Sequence, residues 1–375
     1  MKILSYVAFV AWAFAFANTI LNLLLLRRPR VARLAGGPFV SIIVPARNEE
    51  RAIERTVRAL LAQEYSQFEV IAIDDRSADA TGAILERIAS EDPRLIVIHG
   101  EEPPAGWLGK PWALHQGSRR GRGEMLLFVD ADVHYEPQTL RTAVEDIEAT
   151  GDAMVFLFTH FVMRGFWENA IMPSVPMTPF AFPIWLGQHL PLTYLGVGGG
   201  TGNLIRRAVY DDVRGHEALR DAVIDDVGLA HHVRRSGYRT GLVRTERLVS
   251  VRMYHGLREI LRGFTKNMFA VLGRSYFAAA ATVVLLLAVH LMPYALALRG
   301  DRIALATIAL ILATRVIFFA ALRYPIWNAL LLHPFGAAAW IWITLRSTWI
   351  TGVRGRLPWR GRTYDAASTR FGAQR

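Results

Sequence analysis

From Phe39 onward, short apolar runs alternate with stretches in which apolar and polar residues share a helical period. Runs of this length fit strands buried on both faces, and the stretches between them fit amphipathic helices. Strands are predicted at 39–46, 68–75, 94–100, 125–132 and 153–158, and helices at 50–62, 78–89 and after Pro111. This alternation predicts an α/β fold in which a mostly parallel, Rossmann-like sheet carries helices on both faces.

The chain begins with a longer apolar run, residues 3–26, which is about long enough for one membrane-spanning helix and predicts such a helix over 1–27. Four polar residues interrupt the run: Ser5, Asn18, Thr19 and Asn22. A basic cluster follows it: Arg27, Arg28, Arg30 and Arg33. A cleaved signal peptide is disfavoured because the arginines follow the apolar run instead of preceding it. By the positive-inside rule, the side that carries these arginines is cytoplasmic.

Three further apolar stretches lie near the C-terminus, at 276–298, 303–322 and 326–350. Three full spans would place the arginine-rich tail, 353–375, outside, against the positive-inside rule. Arg315 lies inside the second stretch and His333-Pro334 interrupts the third, so one of the three is predicted to be interfacial or re-entrant. Residues 275–352 are therefore predicted as a transmembrane and re-entrant region.

Two segments between these ends favour the membrane surface. Residues 161–192 mix aromatic residues with five prolines, which predicts short pieces, either at the membrane interface or in a buried subdomain. Over 254–268, apolar residues recur at intervals of three and four beside a basic stripe of Arg258, Arg262 and Lys266. This pattern predicts an amphipathic interfacial helix within 251–274. A cytoplasmic catalytic domain is then expected over 37–250.

Composition supports a membrane protein. At 375 residues the chain has room for one domain and a membrane part, and its 52% hydrophobic fraction favours that organisation. The absence of cysteine excludes a disulfide framework, cysteine-ligated zinc and a thiol nucleophile. The net charge of +11 is compatible with nucleic-acid binding, but the arginines cluster beside apolar runs, which indicates contact with anionic lipid. We predict a multi-pass protein of the inner, cytoplasmic membrane without a nucleic-acid partner.

Candidate chemistry collects where the predicted strands end. The apolar run from Met125 to Val129 is too short for a typical helix and ends in Asp130-Ala131-Asp132. Carboxylates at the C-terminal end of a buried strand lie where open α/β sheets bind ligands, and a cation should compensate them. A divalent ion that carries phosphates, Mg²⁺ or Mn²⁺, suits these oxygen ligands. Because an isolated acidic pair often only caps the next turn, the neighbouring strand ends decide.

The other strand ends are polar as well. Arg47-Asn48-Glu49 follows the first strand and Asp74-Asp75 ends the second, so three polar ends along one edge of the sheet predict a site. Asp74, still within the apolar run, can accept hydrogen bonds from a base such as uracil, whereas Ser77 and Asp79 have a simpler role as helix caps. Neither GxGxxG nor GxxxxGK[ST] follows these strands, so dinucleotide and P-loop sites lack their phosphate cradle.

Polar groups also stand at predicted helix starts. Lys110, flanked by glycine and Pro111, is a candidate diphosphate contact or else a solvated surface lysine. Asp225-Asp226 opens a stretch with helical spacing. The helix dipole alone stabilises acids there, and the functional interpretation makes one carboxylate a general base. The five glycines of residues 194–207 allow close backbone approach to a bound group, unless this stretch is a flexible connector.

In this order and spacing, PARNEE, IDDRSADAT, GKPWALHQG and FVDADVHYEP resemble the motifs of family 2 glycosyltransferases, which have the GT-A fold. The resemblance covers residues 39–274. GWLGKPWALHQG together with a terminal membrane anchor is similar to bacterial membrane enzymes associated with carotenoid and hopanoid glycosylation. Processive members have QxxRW where this chain has RGFTKN, which argues against polymer synthesis.

The resemblance implies roles on the donor side. The nucleotide pocket would be lined by Pro45, Ala46, Asn48 and Glu49, with Asp74 or Asp75 on the base and Lys110 on the diphosphate. The segment Asp130-Ala131-Asp132 would lie near the ribose and the metal. His134 is similar in position to a residue that completes the metal shell in polyprenyl-phosphate relatives, although a solvent-exposed histidine is the alternative. Lys266 would supply the charge that the QxxRW arginine places on the leaving diphosphate.

The resemblance also implies roles on the acceptor side. The loop that shapes the acceptor pocket would include Gly200, Thr201, Gly202 and Asn203. The segment around Asp225 resembles the family's TED motif, with Asp225 in place of Glu and Asp226 at the position of the base.

These roles predict an inverting, metal-dependent enzyme that uses Mn²⁺ or Mg²⁺. It would move one sugar, from UDP-glucose by resemblance, to the hydroxyl of a membrane lipid such as a carotenoid, a hopanoid or another glycolipid precursor. Transfer to a polyprenyl phosphate, which has no hydroxyl to deprotonate, is the enzymatic alternative. A catalytically inactive, nucleotide-binding membrane scaffold is the alternative from another class, and the intact acidic motifs argue against it.

Overall fold

The computed structural model of the chain describes residues 2–29, 36–190, 192–359, 362–365 and 369. Its strands are β1 (Val40–Ala46), β2 (Phe68–Asp74), β3 (Leu95–His99), β4 (Met125–Phe128), β5 (Val133–Tyr135), β6 (Met154–Phe158), β7 (His160–Phe161), β8 (Asn203–Arg206), β9 (Thr240–Arg244), β10 (Val249–Val251), β11 (Arg356–Trp359) and β12 (Arg362–Asp365). Its α-helices are α1 (Lys2–Leu25), α2 (Ile53–Leu61), α3 (Thr81–Glu91), α4 (Gly109–Arg120), α5 (Thr139–Thr150), α6 (Gly165–Ile171), α7 (Ser174–Phe180), α8 (Arg207–Asp212), α9 (Asp225–Arg235), α10 (Gly256–Val271), α11 (Tyr276–Leu286), α12 (Met292–Ala297), α13 (Arg302–Ala321), α14 (Ile326–Leu331) and α15 (His333–Ser347).

A mixed sheet of seven strands, in the order β3-β2-β1-β4-β8-β6-β9, forms the centre of the α/β part. β1 pairs in parallel with β2 and β4, β2 with β3, and β6 with β9. Only β8 runs antiparallel to its two neighbours, β4 and β6, among the seven strands. The predicted mostly parallel sheet is therefore confirmed, with one reversed strand that the apolar pattern did not distinguish.

Apolar side chains cover both faces of this sheet. Ile42 and Val44 of β1 pack on one face with residues of α2, α3 and α5, whereas Ile43 packs on the other face with residues of α4 and α9. Successive side chains of a strand point to opposite faces, so continuously apolar strands need helices on both sides. The predicted layered architecture is confirmed.

The predicted helix boundaries shift by a few residues where polar side chains organise the first turn. The helix expected from residue 78 begins at Thr81, because Asp79 Oδ1 accepts hydrogen bonds from the Thr81 N–H at 3.0 Å and from its hydroxyl at 2.5 Å. Residues of this kind favour caps and turns over helix interiors. The helix expected over 254–268 is observed as α10, residues 256–271.

The chain divides into two compact units that interleave in sequence. One contains Met1–Leu26, Met163–Trp185 and Tyr254–Ala367, and the other contains Arg27–Val162, Leu186–Met253 and Ser368–Arg375. The expected catalytic domain, 37–250, covers most of the second unit, while residues 163–185 group with the terminal helices. The second unit also holds a small sheet, β5-β10-β7, and the first a hairpin of β11 and β12.

Three helical segments of the first unit are long and apolar enough to cross a membrane: α1, Tyr276–Ala297 and α13. The segment 276–297 is α11 and α12 joined by a π-helical turn, Leu287–Leu291. The third predicted C-terminal stretch breaks between α14 and α15, and Pro334 lies in the first turn of α15. The predicted interruption at His333-Pro334 is confirmed.

Arg315 of α13 is buried and donates from Nε to Ala329 O at 2.8 Å and from Nη2 to Asn328 O at 3.3 Å. These carbonyls lie near the C-terminal end of α14, so the arginine caps the broken helix.

Arg27, expected to mark the cytoplasmic side of the membrane, forms ion pairs with Asp146 and Asp152 at 2.7 Å each within the second unit. Its charge is compensated inside the protein and adds little to a surface field. Arg30 and Arg33 of the same cluster, and residues 360–361, 366–368 and 370–375 of the predicted tail, lie outside the described residues.

The proline-rich segment 161–192 forms short pieces, as predicted: α6, α7 and a 3₁₀ turn at Ile184–Gln188. Asn22 of α1 is fully buried and donates from Nδ2 to Phe180 O at 3.0 Å and to Phe182 O at 2.8 Å. Its Oδ1 accepts from the Trp185 N–H at 2.9 Å. A polar residue that interrupts an apolar helix thus bonds three backbone groups of an irregular segment.

Asn22→Leu should lower the free energy of unfolding of the purified protein by about 1–3 kcal/mol, because the buried Trp185 N–H loses its partner. The carbonyls of Phe180 and Phe182 each lose one of two donors, since Thr19 Oγ1 at 3.4 Å and the Ile184 N–H at 2.8 Å remain. Asn18→Leu is the matched control, since Asn18 Nδ2 bonds only one turn back, to Phe14 O at 3.0 Å. We expect a loss below about 1 kcal/mol for this control. Chemical unfolding in detergent measures both values, and equal losses would contradict the role given to Asn22.

Candidate active site

The carboxyl ends of β2, β1 and β4 lie side by side, because these strands are consecutive in the sheet. Ala46 pairs with Asp74 at the ends of β1 and β2, and the Asp75 N–H donates to Ala46 O at 2.7 Å. The Val129 N–H donates to Ile43 O at 3.0 Å, so the chain reaches Asp130 beside the end of β1. The predicted gathering of three polar strand ends on one edge is confirmed.

The loops that follow β1 and β2 are tied together by side chains. Asn48 Oδ1 accepts from the Ala78 N–H at 2.8 Å, and the Asn48 N–H donates to Ser77 Oγ at 3.0 Å. The Glu49 N–H donates to Thr81 Oγ1 at 2.8 Å. The proposed nucleotide residues therefore belong to one cross-linked rim whose shape is set before any ligand binds.

Two features of this rim bear on the predicted base contact. Asp74 Oδ1 accepts from the Ser77 N–H at 3.0 Å, so this carboxylate organises the turn after β2. Asn48 and Arg76 have left-handed backbones, with φ of 53° and 56°. Such conformations cost free energy outside glycine and persist where surrounding contacts enforce them, often at functional sites. Contact of Asp74 or Asp75 with a base stays a prediction.

A small pocket lies at the end of β4. The start of α4, the glycine loop before β8 and the start of α9 form its walls. Its lining residues are Lys110, Leu114, Phe128, Val129, Asp130, Gly199, Gly200, Asn203, His216, Asp225, Asp226 and Leu229. Of the predicted site residues, the pocket brings together those near 110, 130, 200 and 225, whereas Pro45, Ala46, Asn48, Glu49, Asp74 and Asp75 do not line it.

Lys110 is the cation of this pocket wall. Its Nζ lies 2.7 Å from Asp130 Oδ1 and 3.6 Å from Asp225 Oδ1, and 28% of its side chain is exposed. The alternative of a solvated surface lysine is wrong. The expected compensation of the strand-end carboxylate is present in the protein itself, as an ammonium group held between two acids from distant parts of the chain.

The neighbouring acids Asp225 and Asp226 differ in their proton affinity. Burial raises the pKa of Asp225, but Lys110 and His216 outweigh it and bring that pKa down to about 2. Burial also raises the pKa of Asp226, and Asp225 and Asp130 add to this effect against the pull of Lys110, so that its pKa stands at about 6. Burial lowers the pKa of Lys110, but Asp130, Asp225 and Asp226 outweigh burial and hold that pKa well above its usual value. A pair of acids split in this way is typical of sites that transfer protons.

Asp226 is held from two sides. Its Oδ1 accepts from the Val227 N–H at 2.8 Å, and its backbone O accepts from Asn203 Nδ2 at 3.0 Å. The Gly199 N–H in turn donates to Asn203 Oδ1 at 3.3 Å. The glycine loop, predicted to shape an acceptor pocket, thus fixes the start of α9.

Gly200 allows the loop to approach the acid after β4. The Asp130 N–H donates to Gly200 O at 2.7 Å, and a Cβ at Gly200 would lie 2.0 Å from Asp130 Oδ2. Thr201 and Gly202 follow Gly200 in the loop, and the Tyr135 hydroxyl donates to Thr201 O at 2.9 Å. The group that the glycine approaches is a protein carboxylate.

His216 is a pocket residue that the sequence analysis missed. It is 1% exposed, and its Nε2 lies 3.8 Å from Asp225 Oδ2. No motif surrounds it, and it lies nine residues before the acidic pair. The left-handed backbone of Arg214 and Gly215 just before it was the nearest available signal, in the form of a glycine turn.

The remaining predicted residues lie elsewhere. Ala131 is buried and its O accepts from Thr56 Oγ1 at 2.8 Å. His134 belongs to β5, where it pairs with Ser250 of β10, and its Nε2 lies 3.8 Å from Glu136 Oε1. Asp132 is half-buried and does not line the pocket. Lys266 lies on α10 in the first unit, and its role stays a prediction.

The carboxylate oxygens at this edge fit a hard divalent ion for which the protein would supply only part of the coordination shell. No group of three or more His, Asp or Glu side chains within the described residues gathers as a metal cage. Asp130 is 38% exposed and offers carboxylate oxygens toward the pocket. Mg²⁺ and Mn²⁺ often take one or two carboxylates and complete their shell with water and substrate phosphates. The residues therefore fit an ion that arrives with a phosphate ligand.

A largely parallel sheet with acids and a lysine at its carboxyl edge defines an α/β enzyme whose ligands bind at the strand ends. A model of the family described as Glycosyl transferase family 2 matches residues 41–214, and this part of the chain is a family 2 glycosyltransferase domain. The match ends just before His216, so the acids that open α9 lie beyond it.

Similar proteins share this class. The chain is 32% identical over 197 residues to a Beta-monoglucosyldiacylglycerol synthase of Trichormus variabilis, which covers 51% of this chain and 40% of that protein. It is 35% identical over 128 residues to the glycosyltransferase AglD of Haloferax volcanii, covering 33% of this chain and 20% of that protein. The matched region thus spans less than half the length of these relatives.

Among solved structures, the mannosyltransferase PcManGT of Pyrobaculum calidifontis, in complex with GDP-Man and Mn²⁺, is similar with a TM-score of 0.53. The alignment covers 93% of this chain and 99% of that one at 20% identity. At this identity the likeness establishes a shared fold, and the predicted GT-A architecture is confirmed.

Lys110→Met should raise the affinity of the donor-free protein for Mn²⁺ by about tenfold or more, because Asp130 no longer has an ammonium competing for its oxygen. Manganese titration followed by electron paramagnetic resonance measures this without any turnover. Arg119→Met is the matched control, since it removes one positive charge from the exposed far end of the same helix. Unchanged manganese affinity in Lys110→Met would contradict the competition.

Proposed function

We propose that this protein is a membrane-anchored, inverting glycosyltransferase that moves one sugar from a nucleotide-sugar donor to the hydroxyl of a membrane lipid. The observation that carries the proposal is the pocket in which Asp226, with its pKa of about 6, faces the same space as the Lys110–Asp130 ion pair. One group can accept a proton and the other can stabilise a departing anion, which are the two requirements of a single displacement.

Asp226 is the proposed base. Its Oδ1 is fixed by the Val227 N–H, which leaves Oδ2 to take the proton of the acceptor hydroxyl. As the acceptor oxygen forms its bond to C1 of the sugar, the bond from C1 to the diphosphate oxygen breaks and its electron pair leaves with the nucleotide. The new bond forms on the opposite side of C1, so the configuration inverts.

Lys110 is the proposed partner of the leaving group. Its ammonium lies at the start of α4, where the helix dipole also favours an anion. Binding of a diphosphate there would give the ammonium a third anionic neighbour in addition to Asp130 and Asp225. The divalent ion, Mn²⁺ or Mg²⁺, would be held by Asp130 and Asp132 with the donor phosphates, with His134 as a further ligand by resemblance. When bound, it would offset charge that grows on the diphosphate.

The acceptor is proposed to be a lipid because the site belongs to a chain with three candidate membrane spans. A relative at 32% identity is named for a glucosyldiacylglycerol, a glycolipid. The loop of Gly200 to Asn203 is proposed to shape the acceptor pocket. We propose a multi-pass position in the inner membrane, with the catalytic part, 37–250, on the cytoplasmic side.

The proposed donor is UDP-glucose. The family motifs PARNEE and IDDRSADAT suggest a uridine site at the rim of Asn48, Glu49, Asp74 and Asp75. The glucosyl unit in the name of the Trichormus variabilis relative supports glucose. The rim is ordered by its own hydrogen bonds, as expected of a site that selects its nucleotide before the acceptor enters.

Asp226→Asn separates the two enzymatic alternatives. With a lipid alcohol as acceptor we expect kcat to fall by about 10²–10⁴-fold, because the amide takes no proton. With a polyprenyl phosphate, whose oxygen is already ionised, activity should stay near that of the unchanged protein. Quantifying glycosylated lipid by mass spectrometry measures both, and near-normal transfer to lipid alcohols would remove the base assignment.

Two controls accompany this variant. Asp212→Asn makes the same chemical change on α8, outside the pocket, and should leave transfer within about twofold. In the unchanged protein, Asp226 must be deprotonated to act, so kcat/KM should rise with pH through about 6 and then level off. This acidic limb should be missing from the residual activity of Asp226→Asn.

A further inference from the structure

Beside Asp225, the ring of His216 contacts two aromatic residues. Its Nδ1 lies 2.9 Å from the Tyr210 hydroxyl oxygen, and its ring centroid lies 4.7 Å from that of Phe128, edge to face. The His216 N–H also donates to the Tyr210 hydroxyl at 3.1 Å. The imidazole ring and the backbone N–H of His216 thus both form hydrogen bonds with the Tyr210 hydroxyl.

The turn before His216 is built for this arrangement. Arg214 and Gly215 have left-handed backbones with φ of 59° and 34°. A Cβ at Gly215 would lie 2.1 Å from Cζ of Tyr210, so the backbone packs directly on the tyrosine ring. Only glycine permits this approach. The close packing fixes the imidazole with one edge toward Tyr210 and the other toward Asp225.

The carboxylate decides which nitrogen carries the proton. Burial lowers the pKa of His216 below its usual value, so the ring is neutral and has one N–H. An unprotonated Nε2 would direct its lone pair at Asp225 Oδ2, 3.8 Å away, which repels a carboxylate. The proton therefore belongs on Nε2. The Tyr210 hydroxyl has two acceptors in reach, Ser118 Oγ at 3.2 Å and His216 Nδ1 at 2.9 Å, and with this tautomer it donates to the nearer one, Nδ1.

We propose that His216 is a positioning residue that directs its Nε2–H at Asp225 and thereby holds the Lys110 ammonium between Asp225 and Asp130. At 3.8 Å the contact is longer than a hydrogen bond, and catalytic contacts often shorten when the substrate complex forms. Tyr210 orients the imidazole, the imidazole orients Asp225, and Asp225 places Lys110. The catalytic consequence rests on the proposed function, in which Lys110 stabilises the leaving diphosphate.

Two amide substitutions separate a hydrogen-bonding role from simple packing. The amide nitrogen of Gln reaches the position of Nε2, whereas that of Asn reaches the position of Nδ1. In His216→Gln we expect kcat within about threefold of the unchanged protein, and in His216→Asn a fall of about tenfold or more, with donor KM little changed in both. Thermal unfolding of the two variants reports any difference in stability.

The outcomes are distinct. Recovery in His216→Gln with loss in His216→Asn supports the proposal. Equal losses in both variants, or full activity in both, would overturn it, since packing alone does not distinguish the two amides in this way. Tyr210→Phe should behave as an intermediate case, because the ring keeps its place but loses the donor to Nδ1.

A spectroscopic measurement is independent of catalysis. With ¹⁵N-labelled histidine in the full-length protein, the signal that disappears in His216→Gln belongs to His216. Neutral imidazole with the proton on Nε2 is expected, and in Asp225→Asn the preference for this tautomer should weaken. A proton found on Nδ1 would refute the proposal even if the protein transferred sugar. Conversely, the expected tautomer in a protein that transfers no sugar would mean that the proposed function alone has failed.

Discussion

The contact between the Lys110 ammonium and two carboxylates, Asp130 after β4 and Asp225 at the start of α9, is the interaction on which the site depends. Acids gathered at the buried edge of a sheet are costly unless a cation compensates them. A single lysine from α4 does so and draws three chain segments together. It also sets the order of proton affinities, since the same ammonium lowers the pKa of Asp225 to about 2 while Asp226 beside it keeps a pKa of about 6.

This arrangement gives two adjacent acids different tasks. Asp225, with a pKa of about 2, stays ionised and anchors the lysine. The pKa of Asp226, about 6, is close enough to neutral pH for this group both to lose and to accept a proton. The helix dipole at the start of α9, which alone explains acids at a helix start, does not separate them. The difference comes from neighbours, Lys110 and His216 on one side and Asp130 on the other.

Local patterns in the sequence predicted five strands of the central sheet (β1, β2, β3, β4 and β6), both helical layers and the polar strand ends, because alternation and burial act over a few residues. They could not show that Lys110 reaches across to Asp225, since that contact joins residues more than a hundred positions apart. His216 was missed because its role depends on its contacts in the folded chain, with Tyr210 and Asp225, and no local motif marks it. The reversed direction of β8 was also hidden, because an apolar strand buried on both faces reads alike in either direction. In the first unit, Asn22 appeared in the sequence only as an interruption of an apolar run, and its three backbone contacts give it a structural role.

Sugar transfer itself tests the central claim most directly. The purified full-length protein, supplied with Mn²⁺, a panel of UDP- and GDP-sugars and a membrane lipid extract, is analysed by mass spectrometry of the lipids. We predict that one lipid class gains a single hexose from one donor, with inversion at C1, and that Asp226→Asn forms none. Neither transfer to any lipid nor hydrolysis of any donor would contradict the assignment of this pocket as a glycosyltransferase active site.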